Sequence, residues 1–224
     1  MGRLRILLVR HGESEGNVNR SVYFEKPDHA IALSDLGVEQ ALRCGALLGG
    51  KGYRPQRVWV SPYTRTRQTA HGIIRGAGWD GMDVRESIHL VEQQFGLFDG
   101  HAEEDLPRLF PNEHAHYQKA MDFEGRFWAR MPLGESRFDV CQRVHQFFGT
   151  IHRDAEKNGI EDIVVVSHGV TIRAFIMMWT GLEWEWLERE PNPANCEIRA
   201  IDRGEYSGTI MVSPIPVNEE GKAD

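Results

Sequence analysis

Cysteine is scarce in this chain of 224 residues, which has only Cys44, Cys141 and Cys196, with no C-x-x-C spacing. An odd, scattered set argues against a disulfide frame and fits buried, reduced thiols in a cytosolic protein. Positive charge is also short: 26 Lys and Arg stand against 33 Asp and Glu, a net charge of −7. No surface built to hold nucleic acid is expected, and any cationic site must be local. Long apolar runs are missing, since nothing approaches the roughly 18 residues of a membrane span. The N-terminal MGRLRILLVRHG carries basic residues and a four-residue apolar run, ILLV, but reaches no small-residue cleavage site. A cytoplasmic chain with no membrane or nucleic-acid partner is the expectation. Internal repeats are absent. What is present, 41% hydrophobic and 26% charged residues, is ordinary globular composition. One folded domain over residues 1–215 is expected, with a disordered tail at 216–224.

Short apolar runs alternate with longer stretches of helical period, the pattern of a mostly parallel sheet wrapped by helices. Ile6 to Val9, Arg57 to Val60 and Ile163 to Val166 read as strands, the first and third apolar throughout, as strands covered on both faces should be. Helices are expected from Ser34-Asp35 to Gly49-Gly50, from Pro62 to Gly76, from Glu135 to Asn158 and from Gly169 to Gly181. Cys196 to Ile201 and Gly208 to Val212 read as two late strands joined by a turn at Asp202 to Glu205. Residues 101–133, rich in His, Glu, Phe and Pro, break the alternation with helical stretches that have no strand of their own. They read as an insertion over one end of the sheet, in the place of a lid.

Ligands bind outside the carboxyl ends of the strands in open α/β sheets, and three strands end in reactive residues. The first ends in Arg10-His11-Gly12; the second in Ser61-Pro62, with Arg65 one turn into the next helix; the third in Ser167-His168-Gly169. Helices starting after these turns are expected to point free N–H groups at the same spot. Two arginines and two histidines make a basic pocket in an acidic chain, and its natural guest is a phosphoryl group. Arginine's fork holds phosphate oxygens bidentately, and neutral imidazole can attack phosphorus.

Taken together, LVRHGESEGN, LSDLGVEQA, SPYTRTRQTA, VEQQFG, GES and VVVSHGVTIR resemble the motifs of the histidine phosphatase superfamily, phosphoglycerate-mutase-like branch, in the family's order. The resemblance implies a three-layer α/β/α sandwich around a mostly parallel sheet, and no metal or organic cofactor. It places the nucleophile on His11, the phosphate-binding partners on Arg10, Arg65 and His168, an added phosphate hydrogen bond on Asn17 and the proton donor on Glu92. Ser14 either contacts substrate or turns the loop. GRFWARMPLGES and PNPANCEI resemble a subgroup of small phosphatase-like members whose substrates the resemblance does not fix. Mutases of this branch carry paired arginines and a proline-rich run in a longer insertion, and 101–133 has neither. The expected function is therefore metal-independent hydrolysis of a small-molecule phosphate ester. A cofactor-dependent phosphoglycerate mutase and a non-catalytic phosphate-binding module are the alternatives. Family members are often dimers, although no apolar stripe here demands a homodimer.

One tension follows from the implied roles. The nucleophile must be neutral while Glu92 is protonated, yet reference values of about 6.5 for His and about 4.3 for Glu set those demands against each other. Activity is expected to favour mildly acidic conditions. Other candidates read more plainly: Ser34 as a helix N-cap, Arg67 as solvent-facing, Arg108, Arg126 and Arg130 as contacts of the insertion for an anionic substrate or as solvated residues. His114 and His116 lack a further ligand at suggestive spacing. Trp179, Trp184 and Trp186 read as packing.

Overall fold

Period-two alternation decides which face each strand residue covers, and here both faces are apolar. In the computed structural model, which describes residues 4–211, β1 (Arg5–Arg10) leads through two single-turn helices, α1 (Glu15–Val18) and α2 (Val22–Glu25), to α3 (Asp35–Gly50). There follow β2 (Arg57–Val60), α4 (Thr64–Ala77), β3 (Val84–Glu86), α5 (Leu106–Leu109), α6 (Pro111–Glu124) and α7 (Arg137–Asn158). The chain continues through β4 (Asp162–Ser167), α8 (Gly169–Thr180) and α9 (Trp184–Arg189) to a final hairpin of β5 (Ile198–Asp202) and β6 (Glu205–Met211). Leu7, Val9, Val58, Val60, Val164 and Val166 pack on Ala41, Cys44 and Leu48 of α3 and Ala70 and Ile73 of α4. The alternate residues Ile6, Leu8, Trp59, Ile163 and Val165 pack on Val140, Val144, Phe147 and Ile151 of α7 and Phe175 of α8. The result is the three-layer α/β/α sandwich.

The six strands lie in the order β3-β2-β4-β1-β5-β6. β1, β2, β3 and β4 are mutually parallel, and β5 runs antiparallel to both its neighbours. From β1 the chain moves to one side of the sheet to build β2 and β3; after β4 it crosses to the other side for β5. The strand order therefore reverses between β4 and β1, the place where such sheets open a crevice at their carboxyl ends. Val9 and Val60 both pair with Val166, so the three strands stop in step. One residue later Arg10 stands beside Ser167.

Several element ends differ from the sequence reading, each for a local reason. The second long helix starts at Thr64, two residues past Pro62, with Tyr63 as its extended N-cap. The third starts at Arg137 because Ser136 and Asp139 form a reciprocal capping box that leaves Glu135 outside. β5 begins at Ile198, since Cys196 takes a positive φ of 55°. β6 begins at Glu205, so the turn narrows to Arg203-Gly204. Val212 and the tail at 216–224 lie outside the described residues. The insertion is helical, in α5 and α6, and closes its own small core of Phe98, Leu106, Tyr117 and Ala129. Among the described residues no helix is long and apolar enough to cross a membrane.

Candidate active site

The nucleophile candidate is seated by its backbone before its side chain acts. The N–H of His11 donates to the Ser167 carbonyl at 3.0 Å, and that of Gly12 donates to Thr69 Oγ1 at 3.0 Å. A Cβ on Gly12 would lie 2.5 Å from the carbonyl oxygen of Gly37, and one on Gly37 only 1.9 Å from that of Glu13. Two glycines face to face thus let the first turn of α3 press on the loop after β1. Glu13 completes the joint, its N–H on Gln40 Oε1 at 2.8 Å and its carboxylate receiving the Ser34 hydroxyl at 2.7 Å. Ser34 also caps α3 by accepting from the Gly37 N–H.

His11 is buried, and its Nδ1 lies 2.7 Å from the Gly12 carbonyl. A carbonyl oxygen only accepts, so Nδ1 carries the proton and Nε2 keeps its lone pair. Burial first, then the Arg65 and Arg10 charges, hold the imidazole pKa well below its ordinary value. The tension between a neutral His11 and a protonated Glu92 is thereby relaxed: His11 stays neutral on the acid side of 6.5.

His168 is fully buried, its ring centroid 5.2 Å from that of His11. Its Nε2 sits 2.9 Å from Ser61 Oγ, while its Nδ1 is buried with no partner. The Ser61 hydroxyl can donate to Nε2 or accept from it; in the tautomer where it donates, Nδ1 carries a proton that no protein acceptor meets. Burial, then Arg65 and His11, lower this pKa as well. Arg10 donates through Nη1 to the Pro193 carbonyl at 2.7 Å, and its Nε is likewise buried without a partner. Arg65 gives Nη1 to both the carbonyl and the carboxylate of Asp28, each at 2.7 Å, and lies over the Tyr63 ring at 4.9 Å. Orphaned buried donors cost stability unless an anion meets them, so the pocket is built for a ligand rich in acceptor oxygens.

Glu92 stands at the N-terminus of α8. Its Oε2 accepts from the Val170 N–H at 3.4 Å, and its Oε1 from the N–H groups of Gln93 and Thr171 at 3.0 and 3.3 Å. The sequence reading expected those helix N–H groups to be free for a ligand; they hold the carboxylate instead. The Thr171 hydroxyl is spent on the Val91 carbonyl at 2.6 Å, which ties the loop carrying Glu92 to α8.

The family model for the histidine phosphatase superfamily (branch 1) matches residues 6–213. The chain belongs to that superfamily. It is 38% identical over 216 residues to the phosphoglycerate mutase-like protein AT74 of Arabidopsis thaliana, covering 90% of this chain and 65% of that one. The chain thus spans slightly less than two thirds of that relative's length. A 2,3-bisphosphoglycerate-dependent phosphoglycerate mutase of Azorhizobium caulinodans is 31% identical, over 80% of this chain and 82% of that one. The alpha-ribazole phosphatase of Shigella flexneri has the same fold, with a TM-score of 0.72 at 22% identity, covering 94% of this chain and 96% of that chain.

In this histidine phosphatase superfamily member the remaining candidates fall into place unevenly. Ser14 is buried, and its Oγ accepts from the Asn17 N–H while its own N–H donates to Asn17 Oδ1, so the pair caps α1. Asn17 is exposed, its Oδ1 also receiving Asn195 Nδ2 at 3.4 Å. Arg67 faces solvent and pairs with Glu86. Sequence reasoning missed Thr69, Asp28, Thr171 and the Pro193 carbonyl. Signals lay near three of them: Thr69 falls within SPYTRTRQTA, Thr171 within VVVSHGVTIR and Pro193 within PNPANCEI, where Cys196 N–H donates to the Arg10 carbonyl at 3.1 Å and Asn195 Nδ2 to that of His11 at the same distance.

Proposed function

We propose that this chain is a phosphomonoesterase that hydrolyses a small phosphorylated metabolite through phosphohistidine on His11. The observation that carries the reading is the His11 Nδ1–H bond to Gly12. It leaves a bare Nε2 lone pair in a pocket whose donors, Arg10 Nε and His168 Nδ1, have no protein acceptor. The Nε2 lone pair forms the bond to phosphorus as the bond to the leaving oxygen breaks, and Glu92 gives its proton to that oxygen. Glu92 then takes a proton from water, whose oxygen attacks phosphorus and breaks the P–N bond, releasing inorganic phosphate. Arg10, Arg65 and His168 supply fixed positive charge and donors to the equatorial oxygens, where charge spreads in the transition state. Asn17 adds a side-chain amide at the mouth. A cytoplasmic setting fits the three free, buried cysteines.

A second reading, a phosphoglycerate mutase, is favoured by the 31% identity to the Azorhizobium enzyme. It uses the same first half-reaction and returns the phosphoryl group to a reoriented substrate instead of to water. The deciding experiment measures phosphate release from sugar phosphates, phosphoglycerates, nucleotides and an aryl phosphate at pH 5 to 8, for wild type and His11→Ala, with phosphoglycerate isomerisation followed in parallel. Release lost in the variant is the expected result; isomerisation without release replaces hydrolase by mutase, and release unchanged in the variant removes His11 as nucleophile.

A further inference from the structure

The His11 carbonyl lies just past the end of β1, where the strand ladder no longer supplies donors. Two donors from one distant segment take their place. Asn195 Nδ2 lies 3.1 Å from that oxygen and the Cys196 N–H 3.4 Å. The same segment holds Arg10 at both ends: its carbonyl receives the Cys196 N–H at 3.1 Å, and its Nη1 donates to the Pro193 carbonyl at 2.7 Å. Cys196 takes a φ of 55°, a left-handed backbone uncommon for a residue with a Cβ, and this turn aims its N–H between the two carbonyls.

Residues 190–197 are braced from behind. Arg199, 2% exposed, donates to the carboxylates of Glu190 and Glu197 at 2.7 and 2.9 Å and to the Pro191 carbonyl at 3.0 Å. Glu197 in turn receives the Ala194 N–H at 2.7 Å. Asn195 therefore reaches the loop after β1 from a segment that has its own buried anchor.

The chemistry of the partners decides how both amides are turned. A backbone N–H only donates, so the Ser14 N–H, 3.1 Å away, meets Asn17 through Oδ1. A carbonyl only accepts, so Asn195 meets His11 through Nδ2. That NH2 group has a second hydrogen, which faces Asn17 Oδ1 in a longer contact of 3.4 Å. With Oδ1 taken by two donors, Nδ2 is the end of the Asn17 amide left to meet an oxyanion.

Resting on the phosphomonoesterase reading, we propose that Asn195 is a positioning residue of the reaction, its one NH2 group holding the His11 backbone and the Asn17 amide together. It fixes where the nucleophile stands relative to a phosphate donor while touching neither phosphorus nor the leaving group. Aspartate at this position has nearly the same shape. Ionised, it sets acceptor oxygens against two acceptors; protonated, it regains one donor.

The probes are an aryl phosphate, hydrolysed at pH 5 to 8, and inorganic phosphate, bound calorimetrically. They are applied to wild type, Asn195→Ala, Asn195→Asp, Asn17→Ala and the double variant Asn17→Ala/Asn195→Ala, with a urea midpoint recorded for each. Asn195→Ala is expected to lower kcat/KM about tenfold, the scale of one lost hydrogen bond. Asn195→Asp is expected to lower it further at pH 8 and to recover about tenfold relative to wild type as pH falls to 5. The loss in the double variant is expected to be smaller than the product of the single losses. A merely structural Asn195 moves the urea midpoints and gives neither the acid recovery nor the coupling. Wild-type kcat/KM in Asn195→Ala, or losses that ignore pH and multiply with that of Asn17→Ala, overturn the proposal. Acid recovery without coupling overturns the link to Asn17, and coupling without acid recovery overturns the hold on His11. If wild type releases no phosphate, the phosphatase reading fails instead, and the inorganic phosphate affinities of the same five proteins decide the role of Asn195 by the same comparison.

Discussion

Two neutral histidines held in a basic, buried pocket make stability depend on pH in a way that can be worked out. In the unfolded chain each imidazole takes up a proton near 6.5, while in the folded chain His11 and His168 refuse it because their pKa values are held well below that value. The unfolded state therefore binds more protons as pH falls, and stability falls with it. While the folded ring stays neutral, each such group lowers stability by on the order of 1 kcal/mol for each pH unit below 6.5, and little above it. Asp99 acts in the opposite direction, since burial and then Asp28 push its pKa up to about 6 and the folded state gains a proton there. A comparison of variants removes that offset. Urea unfolding of wild type and His168→Gln at pH 7.5 and 5.5, in buffers free of phosphate and sulfate, should show the wild type losing more stability than the variant, by on the order of 1 kcal/mol. Equal losses in the two proteins would mean that His168 titrates normally in the fold, and the account of a neutral, anion-seeking donor would fail.

The lowered His11 pKa bears on the acid side of the proposed reaction: kcat/KM should hold as pH drops through 6.5, whereas an acid limb at 6.5 would show His11 unperturbed. Ser61→Ala removes the hydroxyl that orients His168 and leaves the buried Nε2 unpaired, so it should lower kcat/KM about tenfold and cost about 1–3 kcal/mol in urea stability; an unchanged rate shows that the ring is oriented by packing alone. Gly37→Ala brings a methyl to 1.9 Å from the Glu13 carbonyl, so the loop bearing His11 must shift. A loss of about 1–3 kcal/mol in urea stability and a fall in kcat/KM are expected, and wild-type values for both would refute the tight joint.

The sheet and the core of the site were legible because their chemistry sits at the ends of apolar runs. Arg10-His11, Ser61 and Ser167-His168 each close a strand whose β-branched residues announce it, and parallel strands that end in step bring those ends together without further information. β3 was not legible: Val84, Arg85 and Glu86 are all exposed on an edge, with neither burial nor alternation to mark them. α9, with Trp184 and Trp186, read as a helix end because six residues are too few for a helical period to declare itself. The backbone partners were also out of reach. Nothing in the local pattern around Thr69, Asp28 or Pro193 says that its oxygen will meet Gly12, Arg65 or Arg10, since those contacts join residues 37 to 183 positions apart.

A net charge of −7 does not weaken an anion site built this way, because range and burial separate the two effects. Surface carboxylates act through water and salt, where the Debye length is about 8 Å at physiological ionic strength. The site's own polar atoms act at contact and from a buried wall: His168 Nδ1 and Arg10 Nε are each shielded from water and each lack a partner. An unmet buried donor costs about 1–3 kcal/mol in the empty protein, and that cost disappears when an oxyanion enters. On the proposed phosphatase reading, relief of that cost supplies part of the affinity for an oxyanion. On the same reading, the acidic exterior disfavours loosely held anions that cannot reach those two atoms, and selectivity for a compact oxyanion over a diffuse polyanion such as nucleic acid is the expected result.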